Sequence, residues 1–170
     1  SSSGFGSKYS NPSSLPPNYN ADVKFSPDGT DLALANENSP YIIVYAWSAS
    51  GFGSKYSNPS SLPAGSGAGI DFSPDGDAVV LAHSSSPYVS AYPWSGSGFG
   101  TKYSNPSTAL PAQGKDAVFS PDGAAVAIGV DSSPYVHVYE WSSSTGFGTK
   151  YANPSTAVDN VARAVSFSPA

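Results

Sequence analysis

One phrase is written three times over in this chain, and every part of it returns at a fixed offset. Gly-Phe-Gly begins at Gly4, Gly51, Gly98 and Gly146, spacings of 47, 47 and 48 residues. Phe-Ser-Pro begins at Phe25, Phe72, Phe119 and Phe167, and the first three copies continue as Asp-Gly. Trp47, Trp94 and Trp141 follow their phenylalanines by 22 residues each, and the Asn-Pro pairs at Asn11, Asn58, Asn105 and Asn153 precede the next Phe by 14. The single extra residue falls between Trp141 and Gly146. Self-similarity at such a period means one supersecondary unit repeated, with neighbouring units stacking to bury a continuous core.

Strands can be read off within one unit. Val23-Lys24-Phe25 enters a Ser26-Pro27-Asp28-Gly29 turn, where proline fixes φ and glycine takes it positive. Leu32 to Ala35 is a short second strand, and Asn36 to Pro40 connects it to Tyr41-Ile42-Ile43-Val44-Tyr45-Ala46-Trp47. That run is apolar on both faces, as expected of a strand sandwiched between stacked sheets. Phe5 to Ser10 reads as a wetter strand, ended by Asn11-Pro12. No segment carries a useful 3.6-residue period.

Four antiparallel strands in a unit of this length are the signature of a β-propeller blade. The Phe-Ser-Pro-Asp-Gly hairpin, the apolar strand after it and the closing aromatic-Trp strand resemble the WD40 family. The family's Trp-Asp pair is here Trp47-Ser48, Trp94-Ser95 and Trp141-Ser142, and its Gly-His pair is absent, so its Asp-His hydrogen-bond network cannot form. The Gly-Phe-Gly and Lys-Tyr-Ser-Asn-Pro wording is also similar to propeller repeats in bacteriophage and environmental viral proteins. The expected fold is therefore all-β, with about three and a half WD40-like, four-stranded propeller blades. With inner to outer strands labelled A to D, residues 1–22 hold an outer strand D and the D–A loop. Blades follow over 23–69, 70–116 and 117–164, and residues 165–170 begin an inner strand A. This order leaves both ends open, and the chain contains no Met. It is expected to be either part of a longer propeller or a unit that associates with copies of itself through its open edges.

Composition narrows the function. The formal net charge is -5, with seven Lys plus Arg and no basic cluster, which argues against nucleic acid as a partner. No stretch approaches the roughly 18 apolar residues of a membrane span. There is no Cys, so disulfides, zinc–cysteine sites and thiol chemistry are excluded. His83 and His137 are the only histidines and sit at different places in the repeat, His83 in the B–C connection and His137 within strand C. No third ligand accompanies them at metal spacing. Asp28, Asp75 and Asp122 are accounted for by turn chemistry. The Gly65–Gly69 run precedes no helix and reads as a flexible loop rather than a phosphate cradle. Pro in the middle of each Asn-Pro-Ser forbids glycosylation. Catalytic residues, cofactors and metals are thus not expected.

Two sets of residues remain as candidate contacts. Lys8-Tyr9, Lys55-Tyr56, Lys102-Tyr103 and Lys150-Tyr151 recur on the outer strand, where they could touch neighbouring chains or simply guard an exposed edge. The D–A and B–C connections vary between units and should emerge on one end of the ring. Tyr19, Asn36, Glu37, His83, Lys115, Asp116, Asp131 and Arg163 are their polar and aromatic members, either a recognition face or tolerated drift. The expected function is a non-enzymatic structural or interaction module in an extracellular or virion-associated assembly. The alternative is a carbohydrate-binding propeller with one site per blade, in which Tyr45 with Trp47, Tyr92 with Trp94 and Tyr139 with Trp141 stack on sugars. It requires those rings to be exposed.

Overall fold

The structure, a computed structural model, describes residues 6–156 and 158–168. Within them the chain forms strands and turns only, and no helix is long and apolar enough to cross a membrane. The first sheet contains β1 (Asn20–Phe25), β2 (Asp31–Asn36), β3 (Ile42–Ser48) and β4 (Gly51–Lys55). The second contains β5 (Gly67–Phe72), β6 (Ala78–His83), β7 (Val89–Ser95) and β8 (Gly98–Phe99), and the third β9 (Gly114–Phe119), β10 (Ala125–Val130), β11 (Val136–Ser142) and β12 (Gly146–Lys150). Each is a four-stranded antiparallel meander with its strands in chain order.

The first hairpin of each sheet is set by the Ser-Pro-Asp-Gly turn. Gly29 N–H donates to the Ser26 carbonyl at 2.9 Å with φ at 71°, while the Asp28 carboxylate accepts from Ser26 Oγ at 2.7 Å and Thr30 N–H at 3.1 Å. The Ser73–Asp75–Gly76 and Ser120–Asp122–Gly123 turns repeat this wiring. The Ser26 hydroxyl, above all, lowers the Asp28 pKa, and Ser120 does the same for Asp122.

The sheets stack small face against large. Ala33, Ala35, Ile42 and Val44 of the first sheet meet Ile70, Phe72, Leu81, Tyr92 and Trp94 of the second. Ala78, Val80, Ala82, Val89 and Ala91 of the second meet Ala117, Phe119, Val126, Ile128, Tyr139 and Trp141 of the third. The second strand of each sheet is buried along its whole length, and this continuous core supplies the main stabilisation.

Four local expectations are corrected. Tyr41 lies outside its strand: φ is 69°, its N–H donates to the Asn38 carbonyl and its own carbonyl accepts from Asn36 N–H. Tyr88 and Tyr135 repeat this with φ of 69° and 67°, a conformation costly for a bulky residue and imposed by closing the loop after the second strand. The glycine run is not a loose loop, because Gly67 opens β5 and a Cβ there would lie 2.7 Å from the Tyr41 carbonyl. Gly114 has the same role, with a Cβ position 2.4 Å from the Tyr88 carbonyl. At the ends, Gly6–Ser10 and residues 165–168 do not join a ladder; Gly4, Phe5, Pro169 and Ala170 lie outside the described residues. Among the described residues neither segment has a neighbouring strand to pair with. Finally, Asn36 and His83 close β2 and β6 rather than standing in the connections.

Gly67→Ala and Gly114→Ala are each expected to destabilise the fold by about 1–3 kcal/mol in urea unfolding, because the added methyl meets backbone that cannot swing away. Gly6→Ala, with open space around it, should stay within about 0.5 kcal/mol of the parent.

Candidate functional site

Each tryptophan sits in a box of three aromatic rings, all approached edge to face. Trp94 has Tyr56 at 4.9 Å, Phe72 at 5.8 Å and Phe99 at 4.9 Å between centroids. Trp141 has Tyr103 at 5.1 Å, Phe119 at 5.0 Å and Phe147 at 5.2 Å. Trp47 has Tyr9 at 5.2 Å, Phe25 at 5.3 Å and Phe52 at 5.0 Å. In every box the tyrosine comes from the segment before the sheet that carries the tryptophan. That segment is pinned again further on, because Tyr45, Tyr92 and Tyr139 donate their hydroxyls to the carbonyls of Ser14, Ser61 and Thr108 at 2.6, 2.8 and 2.8 Å. Burial pushes the Tyr92 and Tyr139 hydroxyls up to about 12, and it raises Tyr56 to about 12 with help from the nearby Asp31.

The repeated Lys-Tyr pairs therefore resolve into two roles. Tyr56 and Tyr103 are half-buried cement between sheets, not free edge contacts. Lys55 and Lys102 bond Asn58 and Asn105 Oδ1 at 2.6 and 2.5 Å, and Lys150 bonds Asn153 likewise, which fixes the bend after the outer strand. Lys8 is exposed, as is Tyr9 at 47% although its ring edge meets Trp47. Tyr151 is 48% exposed and lines an open apolar groove of about 550 Å³ with Ala125, Val138 and Phe167. Ala125, Tyr151 and Phe167 stand at the repeat positions that, as Asp31, Tyr56 and Phe72, surround Trp94. The groove is thus a tryptophan box without its tryptophan.

The D–A and B–C connections do meet on one end of each sheet: Glu37 N–H donates to the Tyr19 carbonyl, Ser84 to Ser66 and Asp131 to Gln113, at 3.0 to 3.2 Å. Tyr19, Glu37 and Arg163 are exposed there, and Lys115 pairs with Asp131 at 2.7 Å. Asp116 turns to the segment after the third sheet, where its carboxylate accepts from Val165 N–H at 2.9 Å, as Asp22 accepts from Ile70 N–H of β5 at 3.1 Å. Burial raises the Asp116 and Asp71 pKa values. Lys24, Lys115 and Arg163 join Asp22 and Asp116 around a small polar cleft of about 260 Å³. Asn36 and His83 are fully buried and cannot serve as contacts on this face: the Asn36 amide donates to the Pro17 carbonyl and Asn20 Oδ1, and His83 Nε2 bonds Ser90 Oγ at 3.0 Å.

The indoles are packing groups. Trp94 and Trp141 are 5% and 7% exposed and offer a sugar no open face, whereas Trp47 is half-buried and borders a groove of about 520 Å³ with Tyr9 and Phe52. Trp94 Nε1 donates to buried Asp31 at 3.0 Å across the sheet joint. Trp141 Nε1 has no partner, because Ala78 replaces the aspartate at that joint. Sequence reading missed Asp31 as a joint residue, since it looks like one more turn aspartate.

Both histidines are interior. Burial holds His83 and His137 down to about 4, and neither ring nitrogen of His137 has a partner. Below the ordinary histidine pKa of about 6.5 the unfolded chain takes up protons that the folded chain refuses. Their contribution is intact above that pH and is lost as the pH falls toward 4, on the order of 3 kcal/mol for His83. Asp71 and Asp116 act in the opposite direction, but near the carboxylate range. Thermal melts are therefore expected to show the melting temperature falling between pH 6.5 and 5. His137→Ile, which installs the residue found at the equivalent Ile43, should raise stability by about 1–3 kcal/mol and shrink that fall.

No protein-family model and no curated protein matches the chain. Solved structures do. A 6-phosphogluconolactonase candidate from Bacteroides fragilis superposes with a TM-score of 0.68 at 17% identity over 84% of this chain and 40% of its own. A second such candidate, from Bacteroides uniformis, gives 0.62 at 19% identity, covering 82% and 40%. The hydrazine synthase of Kuenenia stuttgartiensis gives 0.58 at 13% identity, covering 87% and 38%. These are propeller-type folds, and at such identities the likeness establishes the fold alone. The chain spans about two-fifths of the length of each.

Proposed function

We propose that the chain is a WD40-like propeller segment that acts as a non-enzymatic structural or interaction module and associates with copies of itself through its open sheet faces. The observation that carries this reading is the groove lined by Tyr151, Phe167, Ala125 and Val138. The same positions are filled by a tryptophan at both internal joints, so the third sheet presents a surface built for a further sheet. Three sheets matching about two-fifths of larger propeller-type proteins fit the same picture of a partial ring. An inaccessible imidazole cannot relay protons to a substrate, so neither histidine is a candidate general base. The extracellular or virion-associated setting rests on the sequence resemblance and the Ser-rich surface.

Absolute mass by light scattering over a concentration series, with electron microscopy of the same sample, tests the reading. The mass is expected to rise with concentration toward ring-shaped particles or fibres. A mass fixed at one chain at every concentration would count against self-association and in favour of a partner within a longer propeller.

A further inference from the structure

The turns at one end of the first two sheets enclose a cleft of about 600 Å³, and every charged residue lining it is an aspartate. Asp28 and Asp31 come from the first sheet, Asp75 and Asp77 from the second. Turn chemistry accounts for Asp28, whose carboxylate takes Ser26 Oγ, Thr30 N–H and Thr30 Oγ1. It accounts for only half of Asp75, since the bonds from Ser73 Oγ and Asp77 N–H both fall on Oδ1. It leaves the Asp31 carboxylate unexplained. That residue is 4% exposed; its Oδ2 accepts from Trp94 Nε1 at 3.0 Å, and its Oδ1 has no hydrogen-bond partner although the Tyr56 hydroxyl lies near. Among the described residues no basic side chain is ion-paired with any of the four. A buried carboxylate oxygen with neither donor nor cation is unfavourable, and a cation in the cleft supplies what the fold does not.

The repeat supplies a comparison within the chain. At the joint between the second and third sheets, Ala78 and Ala124 stand where the first joint has Asp31 and Asp77, so two of the four carboxylates, the buried one included, are gone. Turn aspartates recur because the turn needs them, whereas Asp31 belongs to one joint. The walls also select the kind of cation. Among the described residues no three carboxylate or imidazole groups gather as a metal ion requires, so the charges are strung along the cleft. Pro27, Pro74 and the Trp94 indole supply apolar wall beside them. We infer that this cleft binds an aliphatic ammonium, its head on the aspartates and its methylene stem along the prolines and the indole, with Asp31 as the buried anchor. The same chemistry comes as a free polyamine or as a lysyl side chain of a partner. Asp31 Oδ1 is covered from solvent, so contact with it needs a small turn of the carboxylate to which Trp94 donates, and tryptophan fluorescence is expected to report it. All lining residues lie between Ser26 and Gly96, within the first two sheets, and the site does not depend on self-association.

Isothermal titration calorimetry at low ionic strength, with spermidine and with the blocked tripeptide acetyl-Gly-Lys-Gly-amide as probes, tests the site. Saturable binding of at least one probe is expected, with a change in tryptophan fluorescence. Asp31→Asn keeps the size of the side chain and an acceptor for Trp94, and it is expected to weaken binding about tenfold. Asp77→Ala, at the exposed rim, should weaken it about threefold. Asp122→Asn removes the same net charge from the corresponding turn of the third sheet and should leave binding unchanged. Near-ultraviolet circular dichroism checks that each variant folds, and Asp77→Ala carries the test if Asp31→Asn does not. Binding of spermidine alone assigns a free amine, and binding of the tripeptide assigns a lysyl side chain; both support the site. If neither probe binds, or if all three variants weaken binding alike, as general attraction to an acidic chain would, the inference is overturned. Binding of calcium chloride that depends on Asp31, with no binding of either amine, overturns the choice of an ammonium.

Discussion

The rest of this structure depends on the edge-to-face contact between a tryptophan of one sheet and the tyrosine that trails from the segment before it. A flat four-stranded sheet of this size buries too little by itself, and small-against-large stacking gives the needed apolar burial without fixing the stacking direction. The indole box adds that direction. Trp94 receives Tyr56 and Phe72, and Trp141 receives Tyr103 and Phe119, so each sheet is gripped by both a segment that precedes it and its own inner strand. The Tyr92 and Tyr139 hydroxyls then clamp the connecting segment a second time.

That grip sets the backbone demands of the joint. A tyrosine held at positive φ turns its carbonyl toward the next sheet, and the strand it meets must begin with glycine. In the first sheet the same position is Asn20, whose side chain accepts from the Asn36 amide. At Gly67 and Gly114 glycine stands where a neighbour's backbone arrives. Likewise the inner-strand carboxylates of Asp22 and Asp116 are consumed by the amides of Ile70 and Val165, which explains an acidic lining that might otherwise be read as a cation site.

Much of this was legible in the residues, and the misses have physical reasons. The hairpin turns, the doubly apolar third strand and the meander order follow from short-range chemistry repeated with little change. His83 and Asn36 were placed in loops because polar residues after an apolar strand look like its end. Each instead turns inward: His83 Nε2 meets Ser90 Oγ while its Nδ1 stays unpartnered, and Asn36 bonds Pro17 and Asn20, partners far away in sequence or hidden on the adjacent strand. Tyr56 and Tyr103 were read as surface edge residues because period-two alternation cannot say which face a further sheet will cover.

The sequence by itself determined the unit: its length, its four strands, its turns and the aromatic positions, because each of these rests on contacts within a few residues or on a period that can be counted. It also determined that no thiol chemistry is possible. Only the tertiary structure decided which aromatics are cement and which are exposed, since the exposure of a tyrosine such as Tyr9, Tyr56 or Tyr151 depends on whether another sheet lies against it. The three share one local sequence and have three different surroundings. Stacking is a long-range relation between surfaces, and the residues that take part in it carry no local mark of where their partners lie.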